Sequence, residues 1–182
     1  MKIKKIELFV FFLIAFLMAY CAFTSYQQGK LAEGVVRLRV VASGNDMISQ
    51  SQKLHVRDAI LESCSAFLKD ATCADDVWKR LYANPKMIEN AVRSVVGNQE
   101  FCVNISKSRY PTREYQKFAL PSGRYIGVQV FLGEARGKNW WCVLYPDLCV
   151  DSDFSTDVRY NKTTFSFKCM EWVSVICERL WE

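Results

Sequence analysis

From Val35 the run Val-Val-Arg-Leu-Arg-Val-Val-Ala alternates, setting Val36, Leu38, Val40 and Ala42 on one face and Arg37 and Arg39 on the other. A period of two describes a half-buried strand, here with a basic outer face. Ser43-Gly44-Asn45-Asp46 then reads as a turn. Ser49 with Gln52 three residues on has the form of a capping box. Val56, Ile60, Ser63 and Phe67 follow at helical spacing, predicting a helix to about Lys69. A short helix is expected over Asp75–Tyr82. Another is expected from the Asn84-Pro85 start to Gly97, with Ile88, Ala91, Val92, Val95 and Val96 as its apolar stripe.

The period then changes. Glu100–Arg109, Thr112–Leu120 and Arg124–Gly133 read as strands joined by Tyr110-Pro111 and Pro121-Ser122-Gly123, an antiparallel meander. Asp151–Asp157 is polar and reads as a loop. From Phe165 the positions Cys169, Trp172, Val173, Ile176 and Leu180 share a helical face. The expected class is α+β: a mixed, largely antiparallel sheet packed with three to four helices, behind an N-terminal apolar helix.

That apolar segment, Leu8–Phe23, is sixteen residues without a charge and follows Lys2, Lys4 and Lys5. A positive start before a short apolar run is the pattern of a signal peptide. Sixteen residues is short for a spanning helix, which needs about twenty, but Thr24–Tyr26 can extend it into an uncleaved anchor. The chain is therefore expected to divide into residues 1–30, a signal peptide or anchor, and residues 31–182, one extracytoplasmic domain. The net charge of +5 is concentrated at the front: residues 1–30 carry +3, leaving +2 for the rest. So balanced a body is no trap for polyanions, which excludes nucleic acid as the expected partner.

Seven cysteines lie beyond Cys21, with no Cys-x-x-Cys and a single histidine, so neither a zinc site nor any other cofactor is expected. His55 with Cys142 or Cys149 is conceivable as a thiolate pair, and Asp75-Asp76 as acid–base carboxylates. No spacing brings the first pair together, and the second reads more simply as helix-start acids. The most distinctive stretch is Gly133–Cys149, where Asn139-Trp140-Trp141-Cys142 precedes a Tyr-Pro-Asp-Leu turn and Cys149. On one straight helix Cys142 and Cys149 would stand about 10 Å apart, too far to bond, whereas a chain closed around the turn can join them. On a strand the two tryptophans point opposite ways, so one can serve the core while the other meets a partner.

Arg37–Ser43, Lys53–Ala59, Leu120–Tyr125 and Gly133–Cys149 together, in this order, resemble the stage II sporulation protein R family. The resemblance spans roughly residues 35–150. It implies a signalling protein exported from the forespore to the space between two membranes. There it would activate a membrane-embedded aspartic protease of the mother cell that processes a precursor sigma factor. No catalytic residue, nucleic acid or small-molecule substrate is required of such a chain. The partner-binding candidates are Asn139, Trp140, Trp141, Arg37, Arg39, Arg57 and Asp58, held by a Cys142–Cys149 disulfide. His55 stands where that family more often has another basic or polar residue, which weakens a catalytic role for it. The competing expectations are a thiol- or carboxylate-dependent envelope hydrolase and a structural envelope domain.

Overall fold

The computed structural model describes residues 2–115 and 119–146. Helix α1 (Lys2–Glu33) runs unbroken from the N-terminus and stops two residues before β1 (Val36–Val41). Then come α2 (Met47–Leu68), α3 (Ala74–Ala83), α4 (Pro85–Val96), β2 (Phe101–Tyr110), β3 (Arg113–Glu114), β4 (Ala119–Leu120), β5 (Gly123–Leu132) and β6 (Asn139–Tyr145). The expected loop at Asp151–Asp157 and the helix from Phe165 lie outside the described residues.

The main sheet has the order β2-β5-β1-β6. β1 runs parallel to β5, while β6 on β1 and β2 on β5 are antiparallel, so the sheet is mixed and the class α+β. One face carries Val36, Leu38 and Val40 of β1, Ile126, Val128, Val130 and Leu132 of β5, and Cys142 and Leu144 of β6. Against it pack Val56, Ile60, Cys64 and Leu68 of α2, Val77 and Leu81 of α3, and Ile88 and Val92 of α4. Each fully buried aliphatic side chain here contributes about 1.5–3 kcal/mol of transfer free energy, which makes this layer the main source of stability.

The opposite face holds a smaller second core. Ala32 and Val35 from the end of α1, Leu120 of β4, Tyr110, Tyr125 and Val143 are buried there, with Leu31, Tyr115 and Trp141 packed around them. Alternation along β1 places Arg37 on this side, and Arg37 is 0 % exposed. The basic outer face expected of β1 is thus corrected at this residue. The layer that covers it comes from Tyr110, Pro111 and Tyr125, some seventy or more residues away, which no local pattern announces.

Three local expectations are also revised. Helix α2 starts at Met47 behind Asp46, whose Oδ1 accepts a hydrogen bond from the Ser49 N–H at 2.9 Å, so the cap is Asp46 and not Ser49. The buried stripe of α2 is Val56, Ile60, Cys64 and Leu68, with Ser63 and Phe67 at its margin. The expected strand Thr112–Leu120 is instead two dipeptide strands paired as a separate ribbon, Arg113 with Leu120 and Glu114 with Ala119. β2 therefore pairs directly with β5, and the three-strand meander is not formed.

Candidate partner-binding site

The β5–β6 connection is fastened to the β1–α2 turn before β6 begins. Gly137 N–H donates to Ala42 O at 2.9 Å, Arg136 N–H to Ser43 O at 3.2 Å, and Lys138 N–H to Asn45 Oδ1 at 2.9 Å. A Cβ at Gly137 would collide with the Gly44 carbonyl, so the close approach of the two loops requires glycine there. Lys53 adds a tie from α2. Its buried ammonium donates to Gln50 Oε1 at 2.6 Å and to Lys138 O at 3.1 Å, and burial, helped by the Lys138 charge, pulls its pKa below the ordinary value. Lys53 was not among the residues singled out in the sequence. Nothing in its local sequence marks it out, and only the loop eighty-five residues on gives it a role.

This anchorage sets the register of β6, in which Val40 faces Trp140, Arg39 faces Trp141 and Val41 faces Asn139. The two tryptophans consequently serve different layers. Trp140 packs half-buried against the main core, with the Arg57 guanidinium 4.6 Å from its ring centre. Arg57 in turn pairs with its neighbour Asp58 at 2.6 Å. Trp141 packs on the second core, its ring edge-on to Tyr110 at 5.7 Å. Three guanidiniums surround its indole, those of Arg37, Arg39 and Arg113 at 5.8, 5.0 and 4.9 Å. Arg39 is held in the strand plane by its Nε–H, which donates to Asn139 Oδ1 at 3.0 Å.

Beneath this group Arg37 is enclosed by aromatic rings. Its guanidinium lies 4.9 Å from the ring centres of both Tyr110 and Tyr125, and its Nη1 donates to Pro111 O at 3.1 Å. Nε and Nη2 are buried without a protein acceptor. Cation–π contact and one carbonyl therefore stand in for a counter-ion. Burial pushes both phenols up, that of Tyr125 to about 12, although the nearby Arg37 charge opposes the shift. Tyr125 Oη also donates to Pro121 O at 2.8 Å. The pocket for Tyr110 exists because residue 127, paired with Arg37 across the sheet, is glycine; a Cβ there would strike the Tyr110 hydroxyl.

The structure brings Arg37, Arg39, Asn139 and Trp141 together and places Arg57, Asp58 and Trp140 on the helix side as a second group. Arg113, which belongs with the first, was missed because it sits in a segment read as a plain strand. Cys142 is buried, while Cys149 lies outside the described residues. Cys73 and Cys102 are exposed free thiols.

Among the described residues neither catalytic alternative gains geometry. His55 is exposed on α2 with Ser51 Oγ 3.5 Å from its Nε2, whereas Cys142 is buried on β6. Asp75 and Asp76 are taken up by Lys79 at 2.7 Å and Arg80 at 3.0 Å, one turn along α3. Hydrogen bonding from Arg80 holds the Asp76 carboxyl below its ordinary pKa, the direction opposite to that of a general acid. Among the described residues no group of three or more His, Cys, Asp or Glu is arranged to hold a metal.

The family model for stage II sporulation protein R matches residues 32–155, which covers the whole sheet, both cores and every residue of the site. The chain belongs to the stage II sporulation protein R family. The stage II sporulation protein R of Bacillus subtilis (strain 168) is 30 % identical over 129 residues, 69 % of this chain and 57 % of that protein. The chain thus spans a little over half the length of the relative it matches. No solved structure matches. The role of this chain in sporulation follows from the family, and helix α1, which contains an 18-residue stretch of mean hydropathy 2.4 and is long and apolar enough to cross a membrane, fits a signal peptide or an anchor.

Proposed function

We propose that this protein is an exported sporulation signal that activates a membrane-embedded aspartic protease of the mother cell, leading to processing of a precursor sigma factor. The observation that carries this reading is where the family region starts. It begins at Ala32, where the last turn of α1, beyond the exposed apolar stretch that ends near Phe23, enters the second core. An export segment is thus joined to a folded family domain through one continuous helix. In this reading α1 takes the chain from the forespore into the space between the membranes, as a cleaved leader or as a tether, and residues 31–182 are the domain that arrives.

Contact with the protease is assigned to Asn139, Trp140, Trp141, Arg37, Arg39, Arg57 and Asp58, with a Cys142–Cys149 bridge steadying the end of β6. A large aromatic flanked by guanidiniums is the composition that dominates protein–protein contact energy. No small-molecule substrate, cofactor or nucleic acid enters the scheme. The test is removal of the chain from a sporulating cell. The precursor is expected to accumulate uncleaved, and restoring the chain without its N-terminal helix is expected not to rescue cleavage. Normal processing in the absence of the chain would overturn the proposal.

A further inference from the structure

The charges on the two sides of the sheet are balanced differently. On the helix side and in the loops, three arginines have carboxylate partners, Arg57 with Asp58, Arg80 with Asp76 and Arg136 with Glu134, and Arg93 donates to the Gly97 and Gln99 carbonyls. Around Trp141 they do not. Among the described residues no carboxylate pairs with Arg37, Arg39 or Arg113, although all three guanidiniums lie within 5.8 Å of one indole. We propose that Arg39 and Arg113, resting on Trp141 above the buried Arg37, form a docking site for a carboxylate-bearing segment of the protein partner. The inference rests on the signalling role proposed above and names the chemistry of the contact.

Three features favour that occupant. Arg39 uses Nε on Asn139, which fixes its plane, and has no protein acceptor for its terminal nitrogens among the described residues. A fixed guanidinium fork matches a carboxylate in two parallel hydrogen bonds. The surroundings are apolar, with the Phe131 ring 5.6 Å from Arg39 and Trp141 beside it. Partial exclusion of water strengthens an ion pair relative to one on an open surface. Arg37 supplies a fixed positive charge under the site, and Arg113 repels Arg39, one cause with burial of the lowered pKa of Arg39. An incoming carboxylate relieves both. An anionic membrane surface is the less suitable partner. If the span ends near Phe23, the rest of α1, Thr24–Glu33, lifts the domain about 15 Å from the interface, beyond a Debye length of about 8 Å.

The test uses the full chain in neutral detergent, a labelled octaglutamate peptide and fluorescence anisotropy at low ionic strength. The wild-type chain is expected to bind the peptide, and the Arg39→Gln/Arg113→Gln variant to bind it at least about tenfold more weakly. The control Lys69→Gln/Lys86→Gln, which removes the same charge from two exposed positions, the C-cap of α2 and the first turn of α4, is expected to bind as wild type. Circular dichroism melts confirm that each variant is folded. Absence of wild-type binding, equal binding by the arginine variant, or equal loss in the lysine control overturns the inference. So does arginine-dependent binding to phosphatidylglycerol vesicles without binding to the peptide. In parallel, the Arg39→Glu/Arg113→Glu chain is expected not to trigger precursor cleavage when co-expressed with the protease. Cleavage by that variant equal to wild type defeats the docking site alone. Failure of the wild-type chain to trigger cleavage defeats the signalling role, and the peptide titration still decides the docking site.

Discussion

Trp140 and Trp141 are consecutive residues that hold opposite layers together: Arg57 stacks 4.6 Å from the first on the helix side, and Arg39 stacks 5.0 Å from the second on the other. Their substitutions should separate accordingly. Trp140→Ala removes packing from the main core and is expected to cost about 2–3 kcal/mol, with Trp140→Phe recovering most of it. Trp141→Ala is expected to reduce precursor processing per folded molecule far more than Trp140→Phe does. Urea unfolding and processing assays measure the two effects. Full processing by folded Trp141→Ala would remove this residue from the contact.

Gly127 and Tyr110 form a second dependent pair. Gly127→Ala places a methyl group against the Tyr110 hydroxyl and ring and is expected to destabilise by about 2–3 kcal/mol. Tyr110→Phe removes one of the clashing atoms, so the double variant should be more stable than the two separate losses predict. Strict additivity in denaturant unfolding would contradict the packing described.

Arg37 offers a test of what a buried charge is for. With Nε and Nη2 unsatisfied, it is a poor source of stability. Arg37→Met, similar in length, is expected to change the unfolding free energy by no more than about 1 kcal/mol while weakening octaglutamate binding. A loss of several kcal/mol would show that the aromatic enclosure holds the fold and does not merely tolerate the charge.

The buried phenols set the alkaline limit of stability. Tyr125 titrates at about 12 when folded against an ordinary value of 10, so the folded state retains its proton longer than the unfolded chain. This contribution is fully present below pH 10 and is lost as pH rises through 12, amounting to about 3 kcal/mol in all. Tyr110 acts in the same sense, and Lys53, whose folded pKa is lowered, in the opposite one. Unfolding free energies are expected to fall above pH 10, and Tyr125→Phe to flatten that fall even though it loses the bond to Pro121. An unchanged slope in Tyr125→Phe would contradict the assignment.

Much of the main layer was legible because its signals are local. The Asn84-Pro85 start and Gly97 stop give α4 its observed limits, and alternation alone identified β1 and put Val36, Leu38 and Val40 in the core. The second layer was not legible. Its pieces are the last turn of α1, a dipeptide ribbon, the end of β2 and one face of β5, none of which has enough residues to impose a period. Arg37 therefore read as solvent-facing, and Arg113 did not register at all. The tryptophan pair fell between these cases. Strand alternation predicts that the two point apart, but the partners of each are settled only by the register of β6 on β1.

The central claim is that this chain switches on a protease. The most direct measurement is co-expression of the membrane-embedded protease and its sigma-factor precursor in a non-sporulating host, with and without this chain exported to the same compartment. Precursor cleavage that depends on the chain, and is lost with Arg39→Glu/Arg113→Glu, is the predicted result. Cleavage at the same rate whether or not the chain is present, or none in either case with an intact and membrane-inserted protease, would contradict it.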